Sequence, residues 1–296
     1  MSLDRLINIL VTITLIEMMV LIGLRVTFAE IVATVRDWRL VARAAAANYL
    51  FVPLVAIALL IGFDVSPAVA AGFLILAVCP GAPFGPPFAG IARANVPVAV
   101  GLMVVLAGSS AILSPLLLRL LLPWVSGGEV PSVDLIGMVG ALLLTQLLPL
   151  LLGLVVRHWR PRLAERLLSP FELVSKIMSL SVAGLILATQ FRMLSEIRIR
   201  GFVGMLVLLA ATLAIGWLAG GPGRDRRKTM ALTTALRNVG VGLVIVTGNF
   251  AGTPAVSAAL AYGIVEVAGA LLLALWWGRR ETMPGLSGRP TTTSRN

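Results

Sequence analysis

Residues 79–88, CPGAPFGPPF, decide how this chain folds. They lie inside an apolar segment, residues 66–95. As one helix that segment would extend about 45 Å, whereas the hydrocarbon core of a bilayer is about 30 Å thick. The four prolines and two glycines between Pro80 and Pro87 exclude an unbroken helix. We therefore expect two half-helices joined by unwound backbone, with Pro86 or Pro87 in the first turn of the second half.

Unwound backbone inside a bilayer is tolerated only where it is buried in protein or lines a polar cavity. Broken helices of this kind are where secondary transporters build their substrate sites. The alternative is a proline kink in an ordinary buried helix, which fits one proline better than four.

The composition is that of an all-α polytopic membrane protein. Of the 296 residues, 58% are hydrophobic and only 12% charged, and the mean hydropathy is +0.99. Soluble domains carry about 25% charged residues. The net charge of +11 would suit a nucleic-acid partner, but the basic residues lie in short clusters between apolar runs, as in cytoplasmic loops. We expect the lipid bilayer as a partner, and no nucleic acid.

The apolar runs predict nine spans. They lie at about 6–26, 40–62, 66–95, 97–122, 133–156, 172–191, 201–220, 229–250 and 254–277, the third being the broken one. Together they predict a single transporter unit, residues 1–277, whose first repeat covers about 6–122 and whose second covers about 133–277. Residues 278–296 are polar and are expected to form a disordered cytoplasmic tail.

The positive loops predict the orientation of a multi-pass protein in the cell membrane. Basic clusters at 36–43, 157–166, 224–228 and 279–280 fall on one side if the spans alternate. That side is the cytoplasm, so the N-terminus is expected outside and the C-terminus inside. Three arginines do not fit this orientation, because they fall on the outer side: Arg192, Arg198 and Arg200.

The order of spans and charged links in the two halves predicts an inverted repeat, an arrangement common in secondary transporters. By that symmetry the partner of the first broken helix is the eighth span, and the two breaks should cross at mid-membrane. This span contains Thr233 and Thr234, followed by Arg237 and Asn238, with two glycines soon after.

An arginine at this depth costs at least about 2.5–3.5 kcal/mol to insert, so it needs a partner or a function. Arg237 could attract an anion in a cavity, form a fixed ion pair with Glu266 or Glu17, or extend its side chain to the interface. Those two acids are the carboxylates that lie well inside predicted spans.

Catalytic and metal-binding motifs are lacking from the sequence, so we expect neither an enzyme nor a cofactor. The single histidine, His158, lies in a predicted interfacial link, and no His-Glu-x-x-His or Gly-x-Ser-x-Gly motif occurs. The single cysteine, Cys79, excludes an intrachain disulfide and offers no metal-binding cluster.

Four short motifs resemble the bile acid:sodium symporter family, within the bile acid/sodium/auxin-related transporter superfamily. They are CPG at 79–81, ARANV at 92–96, LRNVG at 236–240 and NYLFVP at 48–53. The resemblance extends from about Ile7 to Trp277. It implies a panel domain, a core domain and two broken helices that cross, in a nine-span form that lacks the first of ten spans.

The departures from the family pattern lie in its sodium site. In sodium-coupled members the second crossing helix carries a Glu and, four residues later, a Gln-Asn pair; these positions are Thr233, Arg237 and Asn238 here. At about 5 Å and an effective dielectric constant of about 20, the guanidinium would repel a sodium ion by roughly 3 kcal/mol. We therefore expect no sodium at this place, and coupling, if present, through protonation of Glu266 or Glu17.

Two further family positions differ. The Ser-Asn pair of the first crossing helix corresponds to Gly85-Pro86, and a Gln of the second span corresponds to Asn48. The expected substrate-binding residues are Arg237, Asn238, Thr233, Thr234, Asn48, Pro83, Phe84, Gly85 and Pro86.

The sequence thus predicts a secondary transporter of a small organic anion, carboxylate-bearing or bile-acid-like, that is not coupled to sodium. An arsenite-efflux-type permease is an alternative, but that group favours a cysteine just after the proline of the first crossing helix, whereas Cys79 precedes Pro80. A non-transporting membrane sensor or scaffold is a third possibility, and the short segment after Trp277 argues against it.

Overall fold

A computed structural model of the chain describes residues 3–126, 134–195 and 199–280, and these ranges contain helices and no strand. The first six helices are α1 (Leu3–Arg25), α2 (Phe28–Arg36), α3 (Trp38–Gly62), α4 (Pro67–Ala77), α5 (Gly85–Ile91) and α6 (Val96–Ser126). Helix α7 runs through Leu135–Leu142, Leu143–Leu147 and Leu148–Trp159. The remaining helices are α8 (Pro161–Ser195), α9 (Ile199–Ala219), α10 (Arg224–Ala235), α11 (Val239–Asn249) and α12 (Pro254–Arg280).

The chain is an all-α polytopic membrane protein, as its composition predicts. Within the described ranges, seven helical stretches are long and apolar enough to cross a bilayer: α1, α3, α6, α7, α9, α10 with α11, and α12. Helices also occupy the two other predicted spans, α4 with α5 and α8. The count of nine membrane crossings stays a prediction, which these helices can supply.

Two helices carry a π-helical turn around a buried polar residue. In α3 the turn is Ala47–Phe51 and contains Asn48; in α7 it is Leu143–Leu147 and contains Gln146. Both side chains are fully buried. A π-turn inserts one extra residue into the helix and often marks a functional position. In α3 it places Asn48 at the crossing described below.

Helix α8 begins earlier than the sequence predicts. The predicted span starts at 172, where the apolar run becomes dense, whereas the helix starts at Pro161. Proline suits the first helical turn because its missing N–H would have no partner there. The charged residues that follow belong to the helix rather than to a loop, and one of them, Glu165, accepts a hydrogen bond from Arg157 at 3.3 Å.

The helices pack in two groups, one around α1 and the other around the two broken pairs. Helix α1 packs most extensively against α7 and α8, and also contacts α11. Helix α4 packs along α12 so closely that a Cβ on Gly72 would lie 2.2 Å from the Ala255 carbonyl oxygen. Helix α9 packs along α10. Each broken pair therefore has its first half fixed against a long, unbroken helix.

The second half of the chain repeats the order of the first. Two long helices, a broken pair and a long helix occur as α1, α3, α4–α5 and α6, and again as α8, α9, α10–α11 and α12. The short helix α2, and helix α7 at the start of the predicted second repeat, have no counterpart in this order. This order supports the predicted repeat, while the opposite orientation of the two copies stays a prediction.

The end of the chain differs slightly from expectation. Residues 278–280 belong to α12, where the Arg280 guanidinium lies 4.0 Å from the Trp276 ring centroid. Residues 281–296 of the predicted tail lie outside the described residues, as does Arg198 of the predicted outer basic loop.

Candidate functional site

The first break separates α4 from α5. Helix α4 ends at Ala77 and α5 begins at Gly85, with Pro86 and Pro87 in its first turn. Between them Gly81 has φ +89°, and a Cβ there would lie 2.4 Å from the backbone nitrogen of Ala107 on α6. Only glycine fits this position, because both the dihedral and the contact exclude a side chain. The break predicted from the prolines and glycines is therefore confirmed.

The second break separates α10 from α11. Helix α10 ends at Ala235, Leu236 is extended, and Asn238 caps α11 by accepting a hydrogen bond from the Val241 N–H at 3.2 Å. Asparagine is among the favoured N-cap residues because its side-chain oxygen accepts an otherwise unpaired helix N–H. The sequence thus starts a second helix immediately after Arg237.

The two breaks lie against each other. The Asn238 backbone N–H donates to the Cys79 carbonyl at 2.8 Å, and its side-chain amide lies 3.4 Å from the Gly81 carbonyl. Arg237 reaches the last carbonyl of α4, since its Nη1 donates to Ala77 at 3.3 Å. The predicted adjacency of the two breaks is confirmed, and its cause is that each break supplies groups that hydrogen bond to the other.

The Arg237 side chain is surrounded by oxygen atoms. Its Nη2 donates to Asn48 Oδ1 at 2.9 Å and to the carbonyl of Thr234, while Nη1 donates to Ala77. The residue is 1% exposed, and its Nε has no hydrogen-bond partner among the described residues. We call the three acceptors, on Asn48, Ala77 and Thr234, the oxygen cage.

Glu266 contacts the backbone of Arg237 and not its guanidinium. Its Oε1 accepts the Arg237 backbone N–H at 2.8 Å, while Oε2 has no hydrogen-bond partner among the described residues. No nitrogen of the guanidinium lies within 4.0 Å of a carboxylate in the described ranges, whose ion pairs are Arg25–Glu172, Arg157–Glu165 and Arg226–Asp37. The fixed ion pair considered from the sequence is thus replaced by a hydrogen bond at the helix break.

Glu17, the other carboxylate expected inside a span, lies elsewhere. It belongs to α1 and is half-buried, and both of its carboxylate oxygens are buried with no hydrogen-bond partner among the described residues. The groups in electrostatic contact with Arg237 are Glu266, Tyr262, Cys79 and Tyr49, which places Glu17 outside this cluster.

The two threonines of α10 take different places. The Thr234 hydroxyl lies 3.5 Å from the Asn48 amide nitrogen, beside the oxygen cage, and the residue is fully buried. The Thr233 hydroxyl donates within its own helix, to Thr229 at 2.9 Å, and its methyl faces Gly85. Thr233 thus lies beside the start of α5, but its hydroxyl is already engaged within α10.

A cavity of about 380 Å³ opens beside the crossing. Its walls come from α1, α8, the start of α11, and α12, together with Phe84 from the first break. The lining residues are Val11, Thr14, Leu15, Met18, Phe84, Ser179, Val182, Val239, Gly240, Leu243, Leu260, Gly263, Ile264, Val267 and Ala268. They include two hydroxyl groups and no charged side chain, so the cavity suits a molecule with an apolar body.

Of the predicted substrate-binding residues, only Phe84 lines this cavity. Arg237 and Asn238 lie just behind it, since Val239 and Gly240 form its wall. Pro83 and Pro86 are half-buried near the first break, and Gly85 is buried. In this conformation the guanidinium bonds to Asn48, Ala77 and Thr234, none of which lines the cavity, and direct contact with a ligand stays a prediction.

The sequence did not identify the residues on α1, α8 and α12 as lining a cavity. Most are ordinary aliphatic residues of apolar helices, which give no functional signal. The small residues Gly240 and Gly263 gave no clearer signal, because glycine also permits close packing: a Cβ on Gly263 would lie 2.9 Å from Val239 Cγ1. Among the described residues, no three His, Cys, Asp or Glu side chains gather into a metal site.

A curated relative is similar over most of the chain. The protein named "Probable sodium/metabolite cotransporter BASS2, chloroplastic" from Oryza sativa subsp. japonica is 24% identical over 280 residues. The match covers 92% of this chain, and the chain spans 64% of the length of that relative.

The sequence profile of the Sodium Bile acid symporter family matches residues 12–197, more than half of the chain. The match includes the first broken helix and ends before α9, so the second break, with Arg237 and Thr233, lies beyond it. The resemblance stated from the short motifs is confirmed at the level of the family. The chain belongs to the Sodium Bile acid symporter family.

Proposed function

We propose that this protein is a secondary transporter of a small organic anion with an apolar body, and that Arg237 acts as a resident cation in place of a transported sodium ion. The observation that carries the proposal is the oxygen cage around the guanidinium. Two carbonyl oxygens and one amide oxygen, converging in a buried place, are the ligands that a monovalent cation would otherwise need.

The resident cation excludes a second one. Arginine stays protonated in proteins, so the charge is permanent. A sodium ion about 5 Å away would meet a repulsion of roughly 3 kcal/mol at an effective dielectric constant of about 20. Thr233 adds no negative charge to offset this repulsion.

The cavity supports an anion that is mostly apolar. Its walls are aliphatic and aromatic, which favours a hydrophobic body. Val239 and Gly240, the first two residues of α11, form one side, so the positive end of the helix dipole faces it. Arg237 lies immediately behind this wall and adds its charge. A carboxylate or sulfonate head would lie at this end and the apolar body along α1 and α12.

The other candidate functions gain no support from the site. Cys79 is fully buried and does not line the cavity, so no thiol is placed to bind an arsenite-like ligand. A cavity beside crossed helix breaks suits transport better than a sensor or a scaffold, and it holds no arrangement of catalytic groups.

We further propose that residues 1–277 form one transporter unit of two inverted repeats, about 6–122 and 133–277, in the cell membrane. The N-terminus would lie outside and the C-terminus in the cytoplasm. Because Cys79 is buried, single cysteines introduced at the exposed positions Asp64 and Arg224 can report the side of each loop. A membrane-impermeant maleimide added to intact cells should label Asp64→Cys and not Arg224→Cys, and the reverse pattern would refute the orientation.

The test of function uses cholate and taurocholate as probes, because they carry a carboxylate or a sulfonate on a rigid apolar body. Binding to purified protein is measured calorimetrically in sodium chloride and in choline chloride. We expect equal affinity in both salts and loss of binding in Arg237→Ala. An affinity that rises clearly with sodium would refute the resident cation, and the absence of binding by both probes would refute this substrate class.

A further inference from the structure

Glu266 is a buried carboxyl group that the transport of an anion does not by itself explain. It is 0% exposed, one oxygen accepts the Arg237 backbone N–H, and Oε2 has no hydrogen-bond partner in the described part of the chain. A buried ionised carboxylate requires more hydrogen-bond or charged partners than this, because burial removes the water that would otherwise solvate it. The arrangement is suited to a group that gains and loses a proton.

The charge of Glu266 determines the net charge of the cluster of ionisable side chains around it. Arg237, at the helix break, is the charged residue that faces it from the helices packed against α12, within the described ranges. On its own helix Tyr262 lies one turn away, on the same face. Tyr49 and Cys79 interact electrostatically with Arg237, and the Tyr49 hydroxyl hydrogen bonds to Ser109 and to the Leu106 carbonyl. The cluster therefore has a net charge of zero when Glu266 is ionised and +1 when it is protonated.

This cluster lies directly behind the wall of the cavity. Gly263, Ile264 and Val267 line the cavity and flank Glu266 along α12. On the facing side, a Cβ on Gly263 would meet Val239 Cγ1 at 2.9 Å, so the two helices touch. A charge change at Glu266 is thus felt in the cavity across a single layer of residues.

We propose that Glu266 binds one proton together with the anion and releases it on the other side of the membrane, which makes the protein a proton–anion symporter. The inference rests on the proposed function. The proton passes from water to Oε2, forming one O–H bond, and returns to water after the site has turned to face the opposite side. No other bond changes. Anion binding and proton binding then favour each other reciprocally, because they are linked equilibria.

The direct test measures proton movement in proteoliposomes that contain a pH-sensitive dye. Taurocholate is the probe, because its sulfonate stays ionised and cannot carry a proton across the bilayer itself. We expect inward taurocholate flux to acidify the lumen with the wild type. Glu266→Gln keeps an oxygen for the Arg237 N–H and should bind the probe without acidifying the lumen.

Binding gives the second measurement. Wild-type affinity for taurocholate should fall by about 5- to 150-fold between about pH 5.5 and about pH 8.5, the usual range for coupled sites. Glu266→Gln should bind equally well at both pH values. Glu165→Gln, a change at an exposed carboxylate, should behave as the wild type. Proton movement lost in Glu17→Gln and kept in Glu266→Gln would overturn the assignment.

A third measurement does not depend on the probe. Infrared difference spectra of the purified protein between about pH 5 and about pH 9 should contain a protonated-carboxyl band that disappears in Glu266→Gln. Its absence from the wild type would overturn the inference. Sodium-independent taurocholate binding that does not change with pH would overturn it too and leave the proposed function standing. Absence of probe binding would refute the proposed function. The infrared band would still show whether Glu266 binds a proton.

Discussion

A double substitution, Thr233→Glu with Arg237→Gln, tests the resident cation most directly. It restores the two residues that the sodium-coupled pattern implies at these positions and reverses a change of two charge units. Thr233 faces Gly85 at the start of α5, and Arg237 fills the oxygen cage. The variant should therefore gain a sodium site that the wild type lacks, built from existing oxygens and one new carboxylate.

The magnitude follows from the contacts that Arg237 makes. Its guanidinium donates three hydrogen bonds to the cage, and a glutamine amide at the same place can keep one of them. Losing two charge-assisted hydrogen bonds costs roughly 3–6 kcal/mol, at about 1.5–3 kcal/mol each. A sodium ion present at roughly one hundred times its Kd stabilises the folded variant by about 2.7 kcal/mol. In choline the variant should thus be clearly less stable than the wild type, and sodium should recover about half of the loss or more.

The assay is thermal unfolding of the purified protein in matched sodium and choline chloride. For a chain of 296 residues the sodium effect corresponds to roughly 4 °C in Tm, at about 2.1 cal/mol/K of unfolding entropy per residue. The wild type should show no difference between the two salts. Thr233→Gln with Arg237→Gln is the matched control, because it vacates the cage without adding a carboxylate. Equal Tm values for the Thr233→Glu, Arg237→Gln variant in both salts would refute the interpretation of the cage as a cation site.

Three further predictions concern the cage and the cavity. Arg237→Lys should weaken cholate binding by more than about tenfold in calorimetry, because lysine lacks the planar fork that bonds to Asn48 and the Ala77 carbonyl together; equal affinity would contradict this. Asn48→Ala should lower the free energy of unfolding by about 1–3 kcal/mol, since it leaves a buried guanidinium nitrogen short of an acceptor; an unchanged denaturation midpoint would show that the contact is dispensable. Ser179→Phe should fill the cavity and reduce cholate binding while the Tm stays within about 2 °C, because Ser179 is only half-buried; undiminished binding would place the probe elsewhere.

The helix breaks were predictable because their cause is local. Four prolines and two glycines in eight residues forbid a helix in any environment, so the first break follows from the sequence alone. The second break has no proline, and its position came from the repeat pattern and from the motif around Arg237. The structure adds the physical reason, which is that Asn238 starts a new helix while its backbone bonds to Cys79.

The partners of Arg237 were not predictable, because they depend on packing. Arg237 was expected to form an ion pair with Glu266 or Glu17, to face a ligand, or to extend to the interface, since it carries a charge at depth. The structure pairs the acid with a backbone N–H and surrounds the guanidinium with neutral oxygens. No spacing rule distinguishes these outcomes. The cavity was missed for a similar reason, because aliphatic residues such as Val11 and Leu15 look the same whether they face a ligand, lipid or core.

A resident cation changes which gradient can drive the transport cycle. A sodium ion is released at each turnover and so carries the energy of its gradient, whereas Arg237 is bonded to the chain and returns with the site. The charge that attracts the anion is then permanent, and a site that always holds it would release the anion slowly. A second group that changes charge within the cycle resolves this difficulty. When Glu266 loses its proton, the cluster becomes neutral and the anion is held less tightly, which favours release on the side with fewer protons. The fixed guanidinium and the exchangeable proton therefore act together, and removing the proton-binding group should leave a protein that binds its anion well and turns over slowly.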